Sequence, residues 1–473
     1  MASALSVAAG PRVAVPKDMV GALGDVVGPQ HVLTAPDALE PYGKDETHGL
    51  TPVLPDVVVS PGNAGEVAHV AALCARFGVP LTPRGAGSGR SGGCVPVRGG
   101  VVMAFGRMQR IVEFHAGDGL VVVEPGVILE TLHKEVERQG FFYPPDPASL
   151  GYCTLGGNVA ENAGGPRAVK YGVTRDYVLG AHVVLADGSP LRVGRRTHKG
   201  VAGYDLTALL CGSEGTLALI TQLTLKVIPN PRVVETAVMV FKRASDAADA
   251  VTAILKAGIS PRTLEYVDEL TIQAVRPMGG YRFPDHAVAA LIVETDGNSQ
   301  DAVFQELMRA ADVANAHGAF DVLVAQDPAQ RASIWATRHN LSAATRRITG
   351  LKVSEDVVVP RSRVTEMVAR VGALGQKHGL VTCAFGHAGD GNLHVQVIFE
   401  DKVKQKDAVE ACMKDVGEAC IALGGSVSGE HGVGVVKMDL LTLEQGPEVI
   451  ALQKRVKAAF DPAGILNPGK IFR

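Results

Sequence analysis

The chain has no excess of basic charge: 46 Lys and Arg stand against 49 Asp and Glu, a formal net charge of −3. With no clustered basic stripe either, it offers no field for nucleic acid. No run approaches the ~18 consecutive apolar residues that a membrane-spanning helix needs, so no membrane span is expected. Cysteine is sparse and unpaired in pattern. Its seven positions, Cys74, Cys94, Cys153, Cys211, Cys383, Cys412 and Cys420, are odd in number and never spaced C-x-x-C. That excludes a disulfide framework, a zinc ribbon and an iron–sulfur ligand set, and it fits a reducing, cytoplasmic compartment. Aromatics are scarce at 5%, with one Trp. Met1 to Val15 lacks the cationic and apolar regions of a signal sequence, so a tail before the first helix is expected.

Glycine is what the chain has in plenty: 55 of 473 residues, about 12% against a typical ~7%. The length is about three times the ~150 residues of one domain, so two large domains or three ordinary ones are expected. From Pro55 to Pro229, β-rich runs alternate with glycine-rich loops, and a helix is expected over Ala64 to Phe77, closed by Gly78. Asp187-Gly188 marks a hairpin. Pro229-Asn230-Pro231 is a domain boundary. The order then becomes β-α-β-β-α-β from Val233 to Ala325, that of a ferredoxin-like unit. Three helical segments follow at about 328–348, 362–378 and 406–423, then a last helix from Pro447 to Phe460.

Gly87-Ser88-Gly89-Arg90-Ser91-Gly92 fits G-x-G-x-x-G, but the Pro- and Gly-rich stretch after it cannot start a helix, so a Rossmann site fails on context. A glycine loop between strands can still cradle phosphate with successive backbone N–H groups, or be a plain turn. A second cluster runs from Leu155 to Gly165 after the proline run Pro144 to Pro147, and a third is Gly212-Ser213-Glu214-Gly215-Thr216. Loops this glycine-rich read as too tight for helix or strand, and together they suggest an extended ligand held along its length.

These segments, with Tyr171-Gly172-Val173, resemble the FAD-binding domain of the vanillyl-alcohol-oxidase type. More narrowly, the chain resembles the FAD-linked D-2-hydroxy-acid dehydrogenases: the cytochrome-linked D-lactate dehydrogenases and the catalytic subunits of glycolate oxidase. The resemblance covers about residues 40 to 473. It implies an α+β protein: a two-part FAD-binding domain over residues 1–230 (core 53–229), a ferredoxin-like substrate or cap domain over 231–458, and a C-terminal segment, 459–473, returning to the FAD domain. It assigns the FAD pyrophosphate to the loop carrying Arg84, Gly85, Ala86, Gly87, Ser88, Gly89 and Ser91. The ribityl chain and flavin fall to the segment carrying Thr154, Gly157, Asn158, Ala160, Asn162 and Gly164, with Gly215 and Ile220 near the adenine and Pro147 and Asn467 completing the set. Relatives that bind FAD covalently use a His in the first loop. None stands there in this chain, so noncovalent FAD is expected.

Two histidine segments stand apart from the other His residues. In Phe385-Gly386-His387-Ala388-Gly389-Asp390-Gly391-Asn392-Leu393-His394, a two-residue turn at Asp390-Gly391 would set His387 directly opposite His394, ~4.5–5.5 Å between Cβ atoms. That is close enough to share one ion. Ser428-Gly429-Glu430-His431-Gly432 adds a carboxylate and a third imidazole. Alone, such a His pair is more often a surface pair than a metal site, and Asp390 is an alternative ligand. The resemblance matches His387, His394 and Glu430 to ligands of a divalent metal (Zn, Mn or Fe) and His431 to the catalytic base. It also matches Arg338, in Trp335-Ala336-Thr337-Arg338, to the fork that holds the substrate carboxylate. Lys352 and Gln396 depart from the family pattern, and the sequence assigns them no role.

The expected activity is oxidation of a small D-2-hydroxy acid, D-lactate or glycolate, to the 2-oxo acid, with D-2-hydroxyglutarate or D-malate as alternative substrates. Hydride would leave C2 for flavin N5 while the metal-polarised hydroxyl gives its proton to His431. With no iron–sulfur ligand set, electrons must pass to an external acceptor: a cytochrome, a quinone, an electron-transfer flavoprotein or oxygen. A homodimer, and a cytoplasmic protein or one peripheral to the inner membrane, complete the expectations. The rivals are a flavin-free metal hydrolase, an accessory flavin subunit of a larger oxidase and, more remotely, an alkyl-glycerone-phosphate-synthase-like activity.

Overall fold

The computed structural model describes residues 12–473, so most of the tail expected over Met1 to Val15 lies outside the described residues. Val57–Val59, Val101–Ala104 and Leu81–Arg84 are parallel neighbours in a four-stranded sheet, whose edge Val32–Leu33 runs antiparallel. The helix Ala64–Phe77 crosses over between two of these strands. Asn63 caps it by accepting from the Glu66 N–H at 3.0 Å, and Gly78, at φ +64°, ends it. Val67, Val70, Ala71 and Cys74 on its inner face are fully buried. A burial of that kind stabilises by about 1.5–3 kcal/mol per large aliphatic side chain.

A five-stranded antiparallel sheet follows, ordered Ile111–His115, Leu120–Val123, Leu219–Lys226, Val178–Val184 and Pro190–Gly194. The Asp187-Gly188 hairpin is present, with Leu185 and Ser189 closing a three-residue loop in which Gly188 sits at φ +91°. The second glycine cluster departs from expectation. Leu155–Glu161 is a helix, because Thr154 caps it and Gly156 lies where its backbone packs against Pro125. The helix Leu129–Arg138 buries Leu129, Leu132, His133 and Val136. There His133 Nε2 donates to the Pro145 carbonyl at 3.0 Å and pins the proline run that leads into this cluster.

The ferredoxin-like order appears in space as Ala319–Val324, Val233–Phe241, Ala289–Gly297 and Thr263–Asp268, all antiparallel. Val233 to Phe241 pairs with Gly297 to Ala289 without a bulge. The sequence reading did not foresee that this sheet continues. Val381–Gly386 adds to Thr263–Asp268, followed by Asn392–Phe399 and the edge strand Leu351–Val358, giving seven strands. Helices Pro328–Arg346, Val364–His378 and Lys406–Ala422 match the three expected segments. The last helix is longer than expected, Met438–Phe460, and kinks at Gly446 before Pro447. The tail then lies along the first sheet, where Leu81 N–H donates to the Ile465 carbonyl. Among the described residues, no helix is long and apolar enough to cross a membrane.

Burial lowers the pKa of His133 to about 3, aided by the charge of Arg167 and opposed by its bond to Pro145. A depressed histidine leaves stability whole above its ordinary value of 6.5 and erodes it as pH falls from there toward 3. His133→Gln should therefore flatten the pH dependence of unfolding free energy between about pH 6 and pH 4 by about 1.4 kcal/mol per pH unit. Urea denaturation across that range measures it.

Candidate active site

The histidine turn is the first correction. Phe385, not His387, pairs with His394, so the strands slip by two residues from the expected register and residues 387–391 form the connection. The cause lies at its far end. Asn392 pairs with Val358 on the edge strand, and Gly391, at φ +90°, passes so close to Val359 that a Cβ would sit 2.0 Å from the Val359 oxygen. His387 still reaches His394, through the curl of the turn, with ring centroids 5.2 Å apart and planes perpendicular.

Two groups of side chains bring ligand atoms within 4.8 Å of one another: His387, His394 and Glu430, and Asp356, His394 and His431. Their hydrogen bonds distinguish them. Asp356 Oδ2 accepts the successive backbone N–H groups of Gly429, Glu430 and His431 at 2.9, 2.8 and 2.9 Å, and Oδ1 accepts from Asn392 Nδ2 at 2.6 Å. These oxygens are spent. Successive N–H groups form a nest that seeks an anion, and here the anion is the protein's own. Glu430 Oε2, by contrast, is buried without a partner. Glu430 Oε1 stands 3.7 Å from His387 Nε2 and 3.6 Å from His394 Nε2. Four carboxylates (Glu265, Glu355, Asp356 and Glu430) face two fixed cations (Arg338 and Lys437) in this contact chain. With the histidines in the neutral form that metal ligation requires, the cluster is short of two positive charges, and without an ion His387 makes up one of them by holding a proton. An orphan carboxylate oxygen, two imidazoles and that deficit fit a divalent ion at His387, His394 and Glu430. Asp390 belongs to neither group; its Oδ1 caps the turn through Asn392 N–H.

Protonation follows position. Burial lowers His394 to about 3 and also lowers His431, against the pull of Asp356 and Glu430, so both rings are neutral. His431 stacks on His394 at 5.5 Å. Burial would lower His387 too, but the charges of Glu265 and Glu430 outweigh it and raise its pKa. Burial also works to raise Glu430, yet its bond to His387 holds it at about 2.

The glycine-rich elements converge on this cluster. Arg84, Gly85, Thr154, Gly157, Ala160, Gly215 and Ile220 line one cavity of about 80 Å³. Ala86, Gly87, Ser88, Gly89 and Ser91 continue the first loop beyond it, and the buried Pro147 precedes the second segment. The Arg84 guanidinium is spent on the Lys44 and Pro41 carbonyls, so at the cavity wall it braces the loop. Asn158 leaves Nδ2 unpartnered. Asn162 is committed, its Oδ1 accepting from Arg175 N–H. Asn467 donates to the Gly93 and Glu214 carbonyls and leaves Oδ1 unpartnered, tying two glycine loops together. The bare backbone of this cradle, with Asn467 beside Gly215, fits one part of an extended polar ligand such as FAD, which is many times larger than the cavity itself. Gly164 lies elsewhere, against Glu430 Oε2, where a Cβ would stand 3.2 Å away. It marks the junction of cradle and metal cluster.

Two further ties fix that junction. Glu214, at φ +50°, accepts from Val433 N–H at 2.7 Å and Gly434 N–H at 2.6 Å. Lys170 and Tyr171 hold the buried Asp296 at the end of the ferredoxin-like strand, with Arg262 on its other side. Arg338 is buried, and it gives Nε (2.6 Å) and Nη2 (2.5 Å) to Glu265 Oε2, which leaves Nη1 and one Nη2 hydrogen uncommitted. Lys352 spends its ammonium on Ser342 O, Ser342 Oγ and Thr345 Oγ1, pinning the helix above it, and Gln396 accepts from Ser354. His431 opens onto a cleft of about 1490 Å³ shared with His48, Arg90 and Ser354.

Asp356, Glu265 and Glu214 escaped the sequence reading. The signal for the first two was there: an acid in mid-strand, in Thr263-Leu264-Glu265-Tyr266-Val267 and Ser354-Glu355-Asp356-Val357-Val358, must be paired to be buried. Asp356→Asn replaces one accepting oxygen by an NH2 donor that faces other N–H donors, and it should lower unfolding free energy by about 3 kcal/mol in guanidinium titration. Unchanged stability would mean that other contacts hold the 429–431 loop.

Comparison with known proteins finds a family match for each part of the chain. The family described as FAD binding domain matches residues 55–194, and FAD linked oxidases, C-terminal domain, matches residues 230–471. The glycolate oxidase subunit GlcD of Bacillus subtilis (strain 168) is 38% identical over 459 residues, 97% of each chain. A D-lactate dehydrogenase of Anaerostipes hadrus is 38% identical over 453 residues, 94% of this chain and 95% of that one. Among solved structures, p-cresol methylhydroxylase with substrate bound superposes with a TM-score of 0.80 at 18% identity, covering 98% of both chains. Alkyldihydroxyacetonephosphate synthase superposes with a TM-score of 0.75 at 20% identity, covering 98% of this chain and 87% of that one. These two likenesses concern the fold alone.

Proposed function

The chain belongs to the FAD-linked oxidases, and we propose that it oxidises a small D-2-hydroxy acid, D-lactate or glycolate, to the 2-oxo acid with noncovalent FAD and a divalent metal ion. The observation that carries this reading is the placement of His387, His394 and the orphan oxygen of Glu430 beside the neutral His431 and against Gly164 of the glycine-rich cradle. The relatives named for glycolate and D-lactate support the substrate class. The match to an FAD binding domain leaves a flavin-free hydrolase without support.

When bound, FAD supplies a hydride acceptor and the metal ion a Lewis acid. The chain's own residues do the rest. His431, kept neutral by burial, accepts the substrate hydroxyl proton at a ring nitrogen, and Asp356 fixes its backbone in place. Arg338 turns Nη1 and its free Nη2 hydrogen to the substrate carboxylate. His387 and His394, with only 7% and 13% of their side chains exposed, help to exclude bulk water from the reacting centre. Substrate enters by the cleft at His48, Arg90 and Ser354. An external acceptor reoxidises the flavin, and the balanced charge and the cysteine pattern fit a cytoplasmic protein.

The purified protein should be yellow and bleach anaerobically with D-lactate or glycolate. A flavin that stays oxidised with these, D-malate and D-2-hydroxyglutarate would overturn the reading. Chelation should abolish reduction, and Zn²⁺, Mn²⁺ or Fe²⁺ should restore it. His431→Ala should retain FAD and lose about 10²–10⁴-fold in reduction rate by stopped flow.

A further inference from the structure

Glu265 is fully buried in the middle of the strand Thr263–Asp268, on the face opposite Leu264 and Tyr266. A carboxylate there is tolerable only when both oxygens are satisfied. They are satisfied by two groups with different tasks. Oε1 accepts from His387 Nδ1 at 2.7 Å, and Oε2 takes Arg338 Nε and Nη2. Flanked by the Arg338 guanidinium on one oxygen and an imidazole N–H on the other, the carboxylate is held as an anion.

We propose that Glu265 is a positioning residue that couples metal binding at His387 to carboxylate recognition by Arg338. This rests on the metal site and substrate class proposed above. An acceptor on Nδ1 places the imidazole proton there and leaves the Nε2 lone pair for the ion, the side that faces Glu430. The same carboxylate fixes the guanidinium edge-on, so its remaining N–H groups point away from Glu265. The Phe385 ring under the Arg338 Cζ, 5.4 Å from its centroid, closes the other face. Neither group can turn without leaving a buried charge unpaired. Because one side chain sets both, a change at either site reaches the other, and the coupling is reciprocal.

Glu265→Gln keeps the volume and removes the charge. In the metal-stripped protein, Zn²⁺ affinity measured by competition with a chromophoric chelator should fall about 10–100-fold. In the FAD-loaded enzyme, excess Zn²⁺ should restore kcat for D-lactate while KM stays raised, because the ion replaces the first function of Glu265 and not the second. A purely structural role would lower melting temperature and resist rescue by metal. If Glu265→Gln fails to fold by circular dichroism, Glu265→Gln with Arg338→Met removes both buried charges and should fold with the same loss of Zn²⁺ affinity. Zn²⁺ binding at wild-type strength in the folded variant overturns the coupling. A wild-type enzyme that binds no divalent ion, or is reduced by no hydroxy acid, overturns the underlying reading and the coupling with it.

Discussion

One carboxylate organises the centre of this protein. Asp356 sits fully buried on the edge strand Leu351–Val358 and gathers the N–H groups of Gly429, Glu430 and His431 on a single oxygen. Helix N-termini and phosphate loops use the same geometry to capture ligands from solution. Here it is turned inward, so that a loop rich in glycine acquires one conformation. Gly429 must be glycine for this to work, since a Cβ would stand 2.2 Å from Asn392 Nδ2. The loop's two functional side chains inherit their directions from that anchor. Lys437 reinforces it, donating to the Asp356 and Val427 carbonyls and pairing with Glu355.

From Asp356 outward, the centre is a relay of alternating charge. Arg338, Glu265, His387 and Glu430 follow one another at hydrogen-bond or ion-pair distance, and each is buried or nearly so. Low dielectric makes every such pair strong and every missing partner costly. The arrangement explains why the histidines differ in protonation although all three are buried. All three stand 3.6–4.0 Å from an acid, but of the three only His387 also bonds one directly, Glu265 at 2.7 Å.

Much of this was legible in the sequence, and the reasons are physical. Glycine clusters, the β-α-β-β-α-β order and the helix closed by Gly78 are local, and local patterns survive folding. His387, His394, Glu430 and His431 are in contact as the motifs suggested. The register of the 387–391 turn was not legible, because it is set by Val358 and Val359, at the end of a strand that precedes it by some thirty residues. Nor was the seven-stranded sheet, since nothing local says that Val381–Gly386 will join Thr263–Asp268. Glycine abundance misled at Leu155–Glu161, where a Thr cap and close packing on Pro125 make a helix from a run that looks like loop. Arg338 shows the remaining gap: its type was readable, its prior commitment to Glu265 was not.

The Glu214 contacts with Val433 and Gly434 join residues 219 and 220 positions apart in the chain. Contacts of that span carry the largest loop-closure entropy and form late in folding. The glycine loops themselves lie in the first half of the sequence, but the bonds that tie them together come from Asn467 and Lys470, among the last residues of the chain. A chain that emerges from the ribosome amino end first therefore completes its glycine cradle only after the catalytic loop, when its last residues have been made.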